Sequence, residues 1–253
     1  MEHSEEALGG QRASVFVPVE LQERGFLKNP IFRELNRRAY VRAHGGIRLA
    51  QPWIRWQGFS AYLDCIAYAD RAARALPTGR GLTLSHVTPG RLYSVSSVFL
   101  AQALADNLAV WLCHALPLPV GGEDRRFHSR RFQEELIRKA PGAGALLERH
   151  AGFLAEIESY RQAWAHTMAG GAMPFSDLGE RESPDPTSMM LGVPADPSLE
   201  LPEEVAAAGG VASERYPLGE FTARVFDGAA GFFLTWLRFA LDHVHVAGKG
   251  AGH

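Results

Sequence analysis

An arginine and a histidine that could act together lie in a long helical segment, residues 145–168, with the sequence ALLERHAGFLAEIESYRQAWAHTM. They are Arg161 and His166, spaced as Arg-x-x-x-x-His. A guanidinium binds anions through a planar set of N–H donors, and an imidazole exchanges protons near neutral pH. The pair therefore combines an anion-binding group with a proton-transfer group.

The segment that carries this pair has the pattern of an amphipathic helix. Its apolar side chains recur at steps of three and four, which predicts one buried face made of Leu146, Phe153, Ile157, Tyr160, Trp164 and Met168. At about 100° per residue, Glu158, Arg161, Gln162 and His166 fall on a neighbouring arc of roughly 140°. We expect the stem of Arg161 to pack while its guanidinium reaches outward.

Composition limits the possible classes of protein. The chain has 253 residues, 46% of them hydrophobic, and a formal net charge of -2, which excludes a uniformly basic nucleic-acid binder but allows a local basic surface. Cys65 and Cys113 lack metal or redox spacing and are predicted to be reduced core residues. The N-terminus has no secretory signal, and the apolar run Val98–Leu116 carries several polar residues, so we expect a cytoplasmic protein without a membrane span.

Familiar cofactor and metal motifs are absent. The sequence has no GxxxxGK[ST], no GxGxxG after a strand, no HExxH and no GxSxG. His243 and His245 would point to nearly opposite sides of a helix and could not share a metal ion. We therefore predict neither a cofactor nor a metal site.

The organisation of the chain points to an all-α class. We predict a tail and docking segment at residues 1–28, with a short extended or docking piece at 15–21, then one helical domain at 29–253 with an insertion at 169–215. The domain should be a bundle of about five long helices, because the helical patterns are long and no strand-helix alternation is visible. The partly extended, Gly- and Pro-rich insertion precedes the last helix, and only SMMLGVP in it has a strand pattern.

Two further groups of polar residues are candidate site members. Asp106 lies in the middle of an apolar helix, where it must find a polar partner, most simply as a core hydrogen-bond or ion-pair member. Between the third helix and residue 145, arginines flank aromatic residues, a composition that suits phosphate contact but also an ordinary solvated linker; they are Arg125, Arg126, Arg130 and Arg131.

On the phrase ESYRQAWAHTM, late in a helical bundle, the sequence resembles the HEPN superfamily, the higher-eukaryote and prokaryote nucleotide-binding helical domains. Their hallmark is an Arg-x(4–6)-His motif near the end of a long helix. In motif the resemblance covers residues 161–166, and in architecture about residues 29–246. Many active members have Asn directly after the arginine, where this chain has Gln162.

The resemblance implies metal-independent RNA cleavage of the toxin or defence kind, in which a 2′-hydroxyl attacks the adjacent phosphate. Arg161 and His166 would be the catalytic residues, with Asp106, Glu158 and Gln162 in support. Members commonly form homodimers in which two motifs share a cleft, and an antitoxin-type protein partner is a further expectation. Two alternatives remain open: a non-catalytic bundle that binds a nucleotide or a protein, and a purely structural role in which Arg161 bridges Glu158 and His166 caps the helix.

Overall fold

The computed structural model describes residues 19–45, 47–167, 171–176, 189–197 and 215–244. This part of the chain is mostly helical, so the predicted all-α bundle with five long helices is confirmed. The α-helices are α1 (Val19–Glu23), α2 (Pro30–Gly45), α3 (Ile47–Arg74), α4 (Val87–Ala115), α5 (Arg130–Lys139), α6 (Ala143–Thr167) and α7 (Leu218–His243). The strands are β1 (Met173–Ser176), β2 (Met189–Pro194) and β3 (Arg215–Pro217).

Helix α4 lies at the centre of the bundle and packs against α3, α6 and α7. Aromatic rings fill the space around it: the Trp56 ring lies 5.2 Å from Trp111 and 5.5 Å from Phe233, between centroids. Such tilted and edge-to-face pairs add to the stabilisation from burial. Within the described residues, the one helical stretch that has the length and hydropathy of a membrane span is Leu84–Ala115, a test that core helices also pass.

The segment before α2 docks on α3 and α7. Of residues 15–21, expected to be an extended or docking piece, residues 19–21 belong to helix α1, and residues 15–18 lie outside the described residues. The amide of Leu21 donates to the carboxylate of Asp64 at 3.1 Å, which holds α1 against α3. Arg24 reaches the fully buried carboxylate of Asp70 at 2.6 Å, and the Thr222 hydroxyl of α7 donates to the same carboxylate at 3.0 Å. These hydrogen bonds compensate for the loss of water around the buried carboxylate of Asp70.

The insertion contributes a three-stranded antiparallel sheet in the order β1-β2-β3. The strand predicted in SMMLGVP is confirmed as β2, whereas β1 and β3 are strands that the sequence pattern did not predict. Residues 169, 170, 177–188 and 198–214 of the insertion lie outside the described residues. The sheet is tied to α4 where the amide of Ala172 donates to Ser94 Oγ at 3.1 Å. Just before it, Gly171 has a φ of 108°, and a Cβ there would lie 3.0 Å from Ser94 Oγ. Only glycine fits this close approach without strain.

Two details differ from the sequence expectations. Helix α3 begins at Ile47 rather than at Trp53 and continues through Pro52, since losing one backbone hydrogen bond to a proline is tolerable in a helix packed on several neighbours. Cys65 is exposed on α3, so its prediction as a core residue is wrong, whereas Cys113 is buried as expected. Both are free thiols. The apolar residues next to Cys65 in the sequence predict the helix, but they do not show whether Cys65 lies on its buried or its exposed side.

Candidate functional site

The guanidinium of Arg161 is held on α6 by the carboxylate of Glu158, one turn earlier. Arg161 Nε donates to Glu158 Oε2 at 2.9 Å, and Nη2 donates to Oε1 at 2.6 Å. Gln162 adds a third donor, with Nε2 bonding to Glu158 Oε1 at 2.7 Å. Three members of the arc predicted from helical periodicity, Glu158, Arg161 and Gln162, are therefore connected by hydrogen bonds. The Arg161 side chain is about one third exposed, at 31%.

Both members of this ion pair are held in their charged forms. The hydrogen bond from Arg161 is the largest influence on Glu158 and lowers the pKa of its carboxyl despite partial burial. The same bond raises the pKa of Arg161, and the negative charge of Asp106 acts in the same direction. The site therefore combines a permanent cation with carboxylates whose charge partly neutralises it.

Asp106 reaches this group from the neighbouring helix. It lies on α4, which packs along α6, and its carboxylate accepts a hydrogen bond from Gln102 Nε2 at 3.0 Å. Gln102 is buried, whereas Asp106 is half-buried. The polar residue expected to need a partner inside the apolar helix thus finds one on its own helix. Its negative charge also acts on Arg161 of the neighbouring helix. We call Asp106, Glu158, Arg161 and Gln162 the α4/α6 polar cluster.

His166 lies five positions after Arg161, in the last turn of α6. Its backbone is helical, but its side chain lies outside the described part of the structure. The periodicity of an α-helix places residue 166 about 140° around the axis from residue 161 and about 7.5 Å further along it. The helix geometry thus brings both members of the motif to the same end of α6.

The linker arginines do not form one free basic patch. Arg125 Nε donates to the Val120 carbonyl at 3.0 Å, and Arg131 is 3.6 Å from Asp124. Arg130 pairs with Glu134, one turn along α5, at 2.7 Å, and both side chains are largely exposed. Exposed pairs of this kind are weak, so Arg130 can exchange its partner. Arg126 is half-buried in the linker.

One histidine near the cluster was not predicted as a site residue. His128 precedes α5 and is exposed, and its positive charge contributes to lowering the pKa of Glu158. The sequence offered one indication that His128 has a fixed position: it lies between Phe127, which is buried, and Ser129, the N-cap residue of α5. The packing of Phe127 of this linker on Phe232 and Trp236 of α7 is a tertiary contact that periodicity does not reveal.

The residue before Arg161 connects the site to the insertion. Tyr160 is buried, and its hydroxyl donates to the Pro194 carbonyl at 2.6 Å at the end of β2. Burial raises the pKa of this phenol, so the hydroxyl stays protonated and remains a donor. Tyr160 therefore binds the end of β2, while its neighbour Arg161 binds Glu158 on α6.

Comparison with known proteins does not assign this chain to a family. No protein-family model, curated protein or solved structure matches the chain. Within the described residues, no three His, Cys, Asp or Glu side chains are grouped so that they could hold a metal ion. The chemistry that the site can perform therefore depends on the side chains of the α4/α6 polar cluster.

Proposed function

We propose that this protein is a HEPN-like helical domain that acts on RNA as a metal-independent endoribonuclease, with Arg161 and His166 as its catalytic residues. The observation that carries the proposal is the position of Arg161 in the α4/α6 polar cluster. Its guanidinium is partly exposed and is oriented by Glu158 on its own helix, and the negative charge of Asp106 on α4 acts on it. A cation oriented in this way can bind a phosphate by exchanging one carboxylate oxygen for a phosphate oxygen.

The proposed chemistry uses residues of one helix end. Arg161 would stabilise the extra negative charge of the phosphorane as the 2′-hydroxyl attacks, and His166 would take up the hydroxyl proton. Gln162, which donates to Glu158 at 2.7 Å, would keep that carboxylate turned toward Arg161 between turnovers. The linker arginines Arg126 and Arg130 would add sequence-independent affinity for the RNA backbone.

The test is cleavage of a mixed-sequence RNA by purified wild type, His166→Ala and Arg161→Ala, with EDTA present throughout. Wild type should yield 2′,3′-cyclic phosphate ends, and each variant should lose about 10²- to 10⁴-fold in rate. Arg138→Ala is the matched control for Arg161, because Arg138 pairs with Glu135 at the same helical spacing on α5. His114→Ala, an exposed histidine on α4, is the control for His166. Equal cleavage by wild type and His166→Ala would contradict the assignment.

A homodimer that brings two motifs into one cleft is part of the proposal, because a second copy would supply further groups for proton transfer. A two-fold pairing that includes α6 would produce this arrangement. Sedimentation at tens of micromolar should show a dimer. A monomer that still cleaves RNA would remove the shared cleft but leave the roles of Arg161 and His166 in place.

One observation favours a second candidate function: Nε and Nη2 of Arg161 already donate to the carboxylate of Glu158. A guanidinium whose charge is neutralised by a neighbouring carboxylate suits a non-catalytic bundle that binds a nucleotide or a protein partner. This candidate predicts that wild type binds nucleotide or RNA without cleaving it. It also predicts that Arg161→Ala weakens binding while His166→Ala does not.

A further inference from the structure

Helix α4 reaches the surface along one side with mostly apolar residues. Leu92 is 62% exposed and Phe99 is 39% exposed, although both belong to the helix at the centre of the bundle. They are part of a stripe whose members recur at steps of three or four residues, the spacing of one helix side. The exposed or half-buried members of this stripe are Leu92, Ser96, Phe99, Ala103, Asn107 and Val110. The packing of α4 on α3, α6 and α7 therefore leaves an apolar strip uncovered.

Helix α3 adds a second stripe with the same spacing. Its exposed or half-buried members are Gly58, Ala61, Tyr62, Cys65, Tyr68 and Ala72. The two stripes are neighbours, because Asn107 Nδ2 of α4 donates to the Tyr62 hydroxyl oxygen at 3.4 Å. Earlier on α3 and later on α4, the ring centroids of Trp56 and Trp111 lie 5.2 Å apart, so the two helices are antiparallel. We call the two stripes together the α3/α4 face.

The α3/α4 face is uncharged, and charged residues border it. Every residue assigned to the face is apolar or neutral. On the side of α1, the Arg71 guanidinium lies 5.4 Å from the centroid of the Tyr68 ring and pairs with Glu20. On the other side, Asp106 lies about 100° around α4 from Asn107, at the edge away from α3. An apolar centre with a polar rim is the composition of protein–protein interfaces.

The face is large enough for a dimer interface. From Leu92 to Val110 it is about 27 Å long, and two neighbouring helices are about 20 Å wide. Pairing two such faces would cover about 500 Å² of each copy and about 1,000 Å² in total, the area at which specific interfaces begin, before the rim is counted. An exposed apolar patch of this size marks an interaction site.

The charges at the rim favour a second copy of the chain over a membrane as the occupant. Surfaces that lie on membranes are rich in Lys and Arg on their polar side. Here the rim carries the carboxylates of Glu20 and Asp106 as well as the guanidinium of Arg71. The centre of the face is uncharged, so it can meet its own copy without a contact between like charges.

We propose that the α3/α4 face is the interface of a homodimer, in which two copies pack α3 and α4 against each other as a four-helix bundle. Such an interface is isologous, because both copies use the same surface. The inference names the contact surface of the homodimer in the proposed function and rests on that homodimer, but it does not require RNA cleavage.

Small residues mark the position of the two-fold axis. Counted along the antiparallel helices from the bond between Asn107 and Tyr62, Ala103 of α4 is level with Cys65 of α3, near the middle of both stripes. A residue at a two-fold axis meets its own copy, and small uncharged side chains there let the helices approach closely. With the axis running across the helices at this level, Cys65 lies opposite Cys65 of the second copy. The α4/α6 polar clusters of both copies then lie along the same edge of the interface, as a shared cleft requires.

Sedimentation of wild type and charged variants tests the interface. Leu92→Arg and Leu92→Glu on α4, and Tyr68→Arg on α3, should each weaken dimerisation at least about 100-fold, because each copy would bury an unpaired charge. Leu84→Arg is the matched control: Leu84 is 85% exposed and precedes α4, outside the face, so this variant should dimerise like wild type. Thermal unfolding midpoints equal to that of wild type show that the variants fold.

Oxidation of the exposed thiol tests the position of the axis. Cys65 and Cys113 are free, and Cys113 is buried. Mild oxidation of wild type should give a disulfide-linked dimer, whereas Cys65→Ser and Leu92→Arg should remain unlinked. Alkylation of Cys65 should also be severalfold slower in wild type than in Leu92→Arg, because the dimer covers this thiol. Absence of the linked dimer from a wild type that sediments as a dimer would overturn the placement of the axis at Cys65.

Other results would overturn the interface itself. If all three face variants sediment as the wild-type dimer does, the homodimer uses another surface. A monomeric wild type that floats with vesicles of phosphatidylcholine and phosphatidylserine in equal parts would assign the face to a membrane, and Leu92→Arg should then float better than Leu92→Glu. A monomeric wild type that does not float leaves the face without a second copy. In each case RNA cleavage by wild type, measured separately, decides whether the catalytic roles of Arg161 and His166 stand.

Discussion

Arg161 and Glu158 bind each other through two parallel hydrogen bonds on one face of α6, at 2.9 and 2.6 Å. A carboxylate in this position has two opposite effects on an anion site. It orients the guanidinium, but it also competes with any phosphate for the same donors. The side chain of Glu158 is 17% exposed, so water screens this competition only partly.

We predict that Glu158→Gln strengthens RNA binding. Removing the competing charge should lower the dissociation constant about fivefold, corresponding to about 1 kcal/mol for a partly exposed pair. Fluorescence anisotropy with a labelled RNA measures this directly. Glu135→Gln, which breaks the equivalent pair with Arg138 on α5, is the control and should leave affinity unchanged. If Glu158→Gln binds no more tightly than wild type, Arg161 does not contact phosphate.

A second prediction concerns two linker arginines, the half-buried Arg126 and Arg130, whose ion pair with Glu134 is largely exposed. Changing both to Ser should flatten the dependence of log K on log salt by up to about 1.4, because each phosphate contact on single-stranded nucleic acid contributes about 0.7. The charge-matched control is Arg55→Ser with Arg80→Ser, two exposed arginines outside the linker. An unchanged slope in the linker variant would mean that this segment is only solvated.

The fold could be predicted where short-range spacing determines the structure. Asn29 caps α2 by accepting from the amide of Ile31 at 2.9 Å, and Pro30 begins the helix, both as the sequence indicates. In α6, Ile157, Tyr160 and Trp164 are buried as their spacing predicts. These features depend on residues a few positions apart, so the sequence alone carries the information.

The site could be predicted only in part, because sequence spacing reveals only the contacts between residues a few positions apart. Glu158, Arg161 and Gln162 share a helix, and periodicity groups them correctly. The influence of Asp106 on Arg161 depends on how α4 packs on α6, which the spacing of residues within either helix does not show. Such contacts join residues far apart in the chain, and no local pattern encodes them.

A third prediction tests the link between α6 and the sheet. Tyr160→Phe removes the hydroxyl that donates to the Pro194 carbonyl at 2.6 Å and lies 3.2 Å from that of Ala195. The free energy of unfolding should fall by about 1–2 kcal/mol, because these carbonyls lose a donor in a buried setting. Urea unfolding measures the change. Tyr62→Phe is the control: its hydroxyl accepts only a long bond, 3.4 Å, from Asn107, and the loss should stay within about 0.5 kcal/mol.

The last prediction is an acid sensitivity caused by His150 of α6. The residue is 8% exposed, its Nε2 has no hydrogen-bond partner among the described residues, and its ring packs edge-on against Phe232 at 5.5 Å. Burial, and then the charge of Arg149, lowers the pKa of this imidazole.

As pH falls below about 6.5, the unfolded chain takes up a proton that the folded chain resists, so the free energy of unfolding declines by up to about 1.4 kcal/mol per pH unit. His150→Phe and His150→Leu should remove this part of the slope between pH 7.5 and 5.5 in urea unfolding, and the exposed His114→Gln should not. A slope in both His150 variants as steep as that of wild type would show that other groups cause the acid sensitivity.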